Sequence, residues 1–189
     1  MRLLVTRDDY FEAAFRLLGT RGSGSLKIAV ICKELKVTSG SFYGYFGSFD
    51  GFVEQFLTHW EQTQTDRIVR LSDQSPDAAG RIHLVKELTG QLHHEAEGAI
   101  RSWAHTNPRV AEAQKRVDDR RLDALTEILL PAAVSRGEAK KLAIMGMTLL
   151  IGLQQWRNPV TKKDFDLLFD EYEALLLDRL ADEDVSQAN

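Results

Sequence analysis

The chain has 189 residues, 43% of them apolar and only four of them proline, enough to fill a core; with strand-like alternation nearly absent, a β-rich fold is excluded. The formal charge of −4 excludes a uniformly basic nucleic-acid binder. The charge is uneven, though: residues 1–48 carry seven Lys/Arg against four Asp/Glu, and residues 49–189 carry seventeen against twenty-four, a basic head on an acidic body.

Thr6-Arg7-Asp8-Asp9 has capping-box spacing and opens a first helix, with Tyr10, Phe11, Ala14, Phe15 and Leu18 as its apolar stripe and Gly19–Gly24 as the loop that ends it. Ile28, Ile31 and Leu35 recur at helical spacing and predict a second helix over Leu26–Lys36. Val37 follows as an apolar plug. Thr38 starts a third helix, because its hydroxyl accepts from the open backbone N–H groups of a first turn. That helix is unlike core text. Thr38, Ser39, Gly40, Ser41, Tyr43, Gly44 and Tyr45 are small, hydroxylated or phenolic. Small side chains let a backbone come close, and hydroxyls meet phosphates and base edges, so the surface suits a helix end laid in a DNA major groove. On that reading Thr38 and Ser39 meet bases or phosphates, Ser41 and Tyr43 bond phosphates, Gly40 and Gly44 permit close approach, and Tyr45 adds a second phenol. Lys27, at the start of the preceding helix, and Lys36, in the turn, are candidate phosphate contacts. Phe42 and Phe46 read as core.

Ser48 caps the next helix, expected from Phe49 to Leu71, with Asp50 complementing its positive end. Ser75-Pro76-Asp77 reads as a helix start with Ser75 as cap. A helical pattern then continues to about Asn107 in two pieces, with the break among Gly90, His93-His94 and Gly98. Asn107-Pro108 repeats the start signal and leads to a helix ending at Pro131. Ser135-Arg136-Gly137-Glu138 and Thr161-Lys162-Lys163-Asp164 have capping-box spacing and open two last helices, roughly Arg136–Trp156 and Lys162–Ala181. Both carry wide apolar stripes, which two subunits can close into a four-helix interface. Asp182–Asn189 is polar and expected to fray.

No nucleophile motif, glycine-rich phosphate loop or dinucleotide fingerprint occurs, so neither catalytic residues nor a cofactor are expected. His83, Glu87 and His94 share a helix face only if that helix is unbroken, and no metal site is expected from them. Lone Cys32 excludes an intrachain disulfide, reads as a packed thiol and fits a reducing cytoplasm. Met1-Arg2-Leu3-Leu4-Val5 runs straight into the first helix start, which predicts no leader peptide. The longest apolar run, Leu142–Leu153, is too short and too interrupted to cross a bilayer.

The stretch from Val37 to Phe46, VTSGSFYGYF, followed by Gly47-Ser48, resembles the helix-turn-helix signature of TetR-type (tetracycline repressor-like) transcriptional regulators. Three positions depart from that pattern: Leu35-Lys36 where the family usually has a small residue and Gly, Tyr45 where it often has His, and Phe49 where it usually has a phosphate-contacting Lys. The resemblance implies an all-α protein, with a three-helix DNA-binding domain at 1–48 and a helical effector-binding and dimerisation domain at 49–189. It implies a homodimeric regulator, most often a repressor, on a palindromic double-stranded operator. The helix after Ser48 would then link head to pocket. Phe56, Trp60, Trp103, Met147, Gln154 and Trp156 are the candidate lining, suited to a small hydrophobic or aromatic effector. The rival expectations are an all-helical enzyme or small-molecule carrier with an unused DNA-binding-like head, and a protein-interaction module with a heterologous partner.

Overall fold

A computed structural model of the protein describes residues 5–187, with side chains as far as residue 181. Among the described residues every regular element is helical. The order is α1 (Arg7–Arg21), α2 (Ile28–Leu35), α3 (Ser39–Phe46), α4 (Phe49–Glu61), a π-helical turn (Gln62–Asp66), α5 (Arg67–Ser72), α6 (Ala78–Thr89), α7 (His94–Ala104), α8 (Pro108–Leu129), α9 (Arg136–Trp156) and α10 (Lys162–Gln187). The helix starts follow the local chemistry. Thr6 and Asp9 form a reciprocal capping box, and Ser48 and Ser135 accept from the N–H of Gly51 and Glu138. At α10 the Thr161 hydroxyl accepts from the Asp164 N–H at 3.2 Å, while the Thr161 N–H donates to the Asp164 carboxylate.

Three boundaries differ from expectation. Ser75 does not cap α6; Asp77 does, its carboxylate taking the Gly80 N–H at 2.7 Å and leaving Pro76 outside the helix. The helix expected to run unbroken to Leu71 is interrupted by the π turn. The break in the middle falls between Gly90 and His93, inside the stretch where it was expected, so His83 and His94 lie on different helices and share no helix face. And α10 runs to Gln187, past the expected end at Ala181, so its backbone holds helical form where fraying was expected; Ala188 and Asn189 lie outside the described residues.

The chain groups into two compact units: Met1–Gln62 with His93–Gln114, and Thr63–Leu92 with Lys115–Asn189. This partition differs from a single division at residue 48, because α7 packs along α1 and joins the head. The head's core is aromatic. Phe42, Phe52, Phe56, Tyr10 and Trp60 are fully buried, and Phe46 and Phe52 meet edge to face at 5.0 Å. The Trp60 indole N–H donates to the Glu97 carboxylate at 2.7 Å, with both side chains buried.

In the second unit α9 and α10 run antiparallel: Glu138 pairs with Arg179, and the Leu142 carbonyl accepts from the Tyr172 hydroxyl at 2.7 Å. Among the described residues no helix is long and apolar enough to cross a membrane.

Candidate nucleic-acid interface

The head presents α3 as a two-faced rod. Phe42 and Phe46, one turn apart, point inward and anchor it. Thr38, Ser39, Gly40, Tyr43 and Gly44 are exposed, with Tyr43 at 50% of its full area. Thr38 is the N-cap, its side chain accepting from the Ser41 N–H at 3.4 Å. The remaining N–H groups of the first turn of α3 therefore open beside the exposed Ser39 hydroxyl, an arrangement that receives phosphate oxygens.

Two glycines set how α3 leaves for α4. Gly47 has φ of +69°, a conformation side chains resist, and a Cβ on Gly51 would meet the Phe46 carbonyl oxygen at 2.5 Å. The turn from α2 into α3 is made differently. Lys36 takes a left-handed conformation (φ 55°, ψ 41°) at the position where the resembled family has glycine, and the Val37 N–H closes the helix on the Cys32 carbonyl at 2.9 Å. The departure from the family pattern therefore leaves the turn intact at a cost of about 1 kcal/mol. Lys36 is exposed, as are Lys27 at the opposite end of α2 and Lys33 within it, the last a cation that the sequence reading did not single out.

The remaining polar candidates are arranged differently. Ser41 and Tyr45 are half-buried and bonded within the head. The Ser41 hydroxyl accepts from Tyr10 at 2.9 Å, and the Tyr45 hydroxyl donates to the Val5 carbonyl at 2.7 Å. These bonds fix α3 on α1 and use hydroxyls that the sequence assigned to DNA. Phe49, in the usual lysine position, is half-buried and tilted against Phe52 at 6.1 Å, so it supplies no charge. Cys32 is buried and its thiol reaches the Thr38 carbonyl at 3.7 Å; burial pushes the thiol above its ordinary range and keeps it unreactive.

The second unit contains a cavity of about 100 Å³. Its wall is largely aliphatic, including Ile68, Val85, Leu125, Ile128, Leu150 and Leu176. Charge enters at two places. Lys86 bonds both Asp170 and Glu173 at 2.6 Å, and the other Glu173 oxygen meets His83 Nδ1 at 2.8 Å. Burial opposes the Lys86 ammonium, but the two carboxylates more than offset it and hold its pKa above the ordinary lysine range. Arg121 donates to the Thr65 hydroxyl at 3.0 Å and the Gln64 carbonyl at 3.2 Å, both in the π turn.

Of the six residues expected to line a pocket, Met147 is on this wall. Phe56 and Trp60 instead fill the head's core, because the 52/56/60 stripe of α4 faces the aromatics of α1. Trp103 belongs to α7 of the same unit and is half-buried. Gln154 is buried away from the cavity wall, and Trp156, ending α9, is 68% exposed with the Arg157 guanidinium 3.9 Å over its ring. Among the described residues no cluster of His, Cys, Asp or Glu has the makings of a metal site.

The family model for bacterial regulatory proteins of the tetR family matches residues 11–56, which span α1 to α4. The nucleoid occlusion factor SlmA of Vibrio cholerae is 25% identical over 182 residues, covering 90% of this chain and 93% of that protein. A TetR-family transcriptional regulator from Streptomyces coelicolor superposes with a TM-score of 0.71 at 19% identity, covering 93% of this chain and 94% of the other. The transcriptional regulator FadR from Bacillus subtilis, solved with stearoyl-CoA, gives 0.68 at 16% identity over 90% and 97%.

Proposed function

We propose that this chain, whose head matches the family model for bacterial regulatory proteins of the tetR family, is a DNA-binding regulator of that type and not an enzyme, a cytoplasmic repressor released from its operator by a small apolar ligand. The observation that carries the reading is the outward face of α3, where Thr38, Ser39, Gly40 and Tyr43 stand exposed over an aromatic core that holds the rod still. Two heads would enter successive major grooves of a roughly palindromic site. The cavity supports the ligand: an apolar wall open to filling is the usual build of a small-molecule site. Coupling between such a site and DNA is typically about 1–3 kcal/mol, a change of roughly 5–150-fold in affinity. The test is selection of bound sequences from random duplexes, followed by titration in rising salt. A two-fold-related motif bound with a steep negative salt dependence supports the reading; no enrichment, or salt-insensitive binding, counts against it.

The pairing of heads requires a dimer. On α9, Ile144 and Met145 are 47% and 38% exposed, and on α10, Leu167 and Leu175 are 69% and 39% exposed, apolar side chains that a single copy leaves open. A second copy covering them would form a four-helix interface. Leu167→Glu combined with Ile144→Glu is expected to convert dimer to monomer in light scattering; an unchanged mass would reject this face.

A second reading comes from the Vibrio relative, whose match extends over 90% of this chain and not over the head alone. In it the DNA-bound protein serves nucleoid occlusion. Division septa laid across nucleoids in a deletion strain would favour it.

A further inference from the structure

We propose that the cavity of the second unit takes an uncharged, largely hydrocarbon ligand, and discriminates against carboxylates and amines of the same size. The inference rests on the reading that this cavity is the effector site and adds the chemical class. The aliphatic wall sets the body of the ligand. Nothing there rewards a charge enough to offset its desolvation. The charges at the wall are already engaged. The Lys86 ammonium holds two carboxylates, and the side chains of Lys86 and Glu173 each keep only 12% of their free exposure. An incoming carboxylate would have to displace Glu173 from Lys86 and leave that largely covered carboxylate to His83, a costly exchange. An incoming ammonium would have to displace Lys86 from Glu173 and leave it only Asp170 of the two carboxylates, setting two cations side by side in the same small space. Arg121 already donates to the Thr65 hydroxyl and the Gln64 carbonyl, so an anion drawn to those N–H groups would break its hold on the π turn. A neutral ligand disturbs none of these and gains the full burial of its apolar surface.

The probes are 1-octanol, octanoate and octylammonium, which share a chain and differ only in charge. Each is added at equal concentration to the 189-residue protein, and the unfolding temperature and the affinity for the selected operator are both measured. At ten times its dissociation constant 1-octanol should raise the unfolding temperature by roughly 3–6 °C, with the ions giving much smaller shifts. Val85→Phe, which fills the cavity, should remove the octanol shift; where that variant does not give a cooperative transition, Ala124→Leu replaces it. Octanoate or octylammonium matching or exceeding octanol would overturn the assignment of class, as would the absence of binding by all three. An octanol shift that Val85→Phe abolishes, without any change in operator affinity, would uphold the class and refute the effector role instead.

Discussion

Replacing Tyr43 by alanine is expected to weaken binding to the selected operator by about tenfold or more while leaving thermal unfolding nearly unmoved. Half of the Tyr43 side chain is open, and its ring contact within the head is an edge-on meeting with Phe42 at 6.0 Å. Little folding energy is lost with it. What is lost is a phenol positioned to reach a phosphate and to brace α3 in the groove. Gly44→Ala gives a sharper contrast. A Cβ at Gly44 has nothing within 4 Å, and the residue lies inside a helix with no positive φ, so nothing in the free protein requires glycine there. Alanine should stabilise the helix by about 1 kcal/mol and raise the unfolding temperature. If the bare backbone is kept for close approach to DNA, the same change should weaken operator binding. A fall in stability, or a gain in both properties, would reject that role.

Trp60→Ala should cost about 4 kcal/mol or more, enough to threaten the head as a folded unit. Trp60 has no exposed surface, and its indole N–H serves the buried Glu97 carboxylate. The substitution leaves a large cavity and removes a donor from a carboxylate with 3% exposure. Trp60→Phe separates the two effects, since it keeps an aromatic ring and loses the bond; it should lose about 1–3 kcal/mol. Urea unfolding followed by circular dichroism reads both. A Trp60→Ala protein as stable as the parent would contradict the packing described for α4.

How much of this was legible in the sequence follows the range of the forces concerned. Thr6, Thr38, Ser48, Ser135 and Thr161 all serve as N-caps where expected, because a cap acts within three residues. The inward aromatics of α3 and its outward hydroxyl face were equally readable from one turn of helix. Ser41 and Tyr45 were not, since their partners Tyr10 and Val5 are 31 and 40 residues away. The cavity was hidden for the same reason: Lys86 meets Asp170 and Glu173 across 84 and 87 residues. An apolar stripe states that a face is buried, but not whether it meets another side chain or an empty space. Phe56 and Trp60 therefore looked as suitable for a pocket as Met147 did. The π turn leaves no mark in the periodicity, as one extra residue in a polar stretch shifts no apolar position that the eye could follow.

The central claim, that the outer face of α3 lies on a duplex, is tested most directly by amide hydrogen exchange of the full-length protein with and without the selected operator. Protection gained on binding should concentrate in residues 27–48, which hold α2, the turn at Lys36 and α3. Unchanged exchange across 38–46 in a saturated complex would contradict it, whatever the affinity.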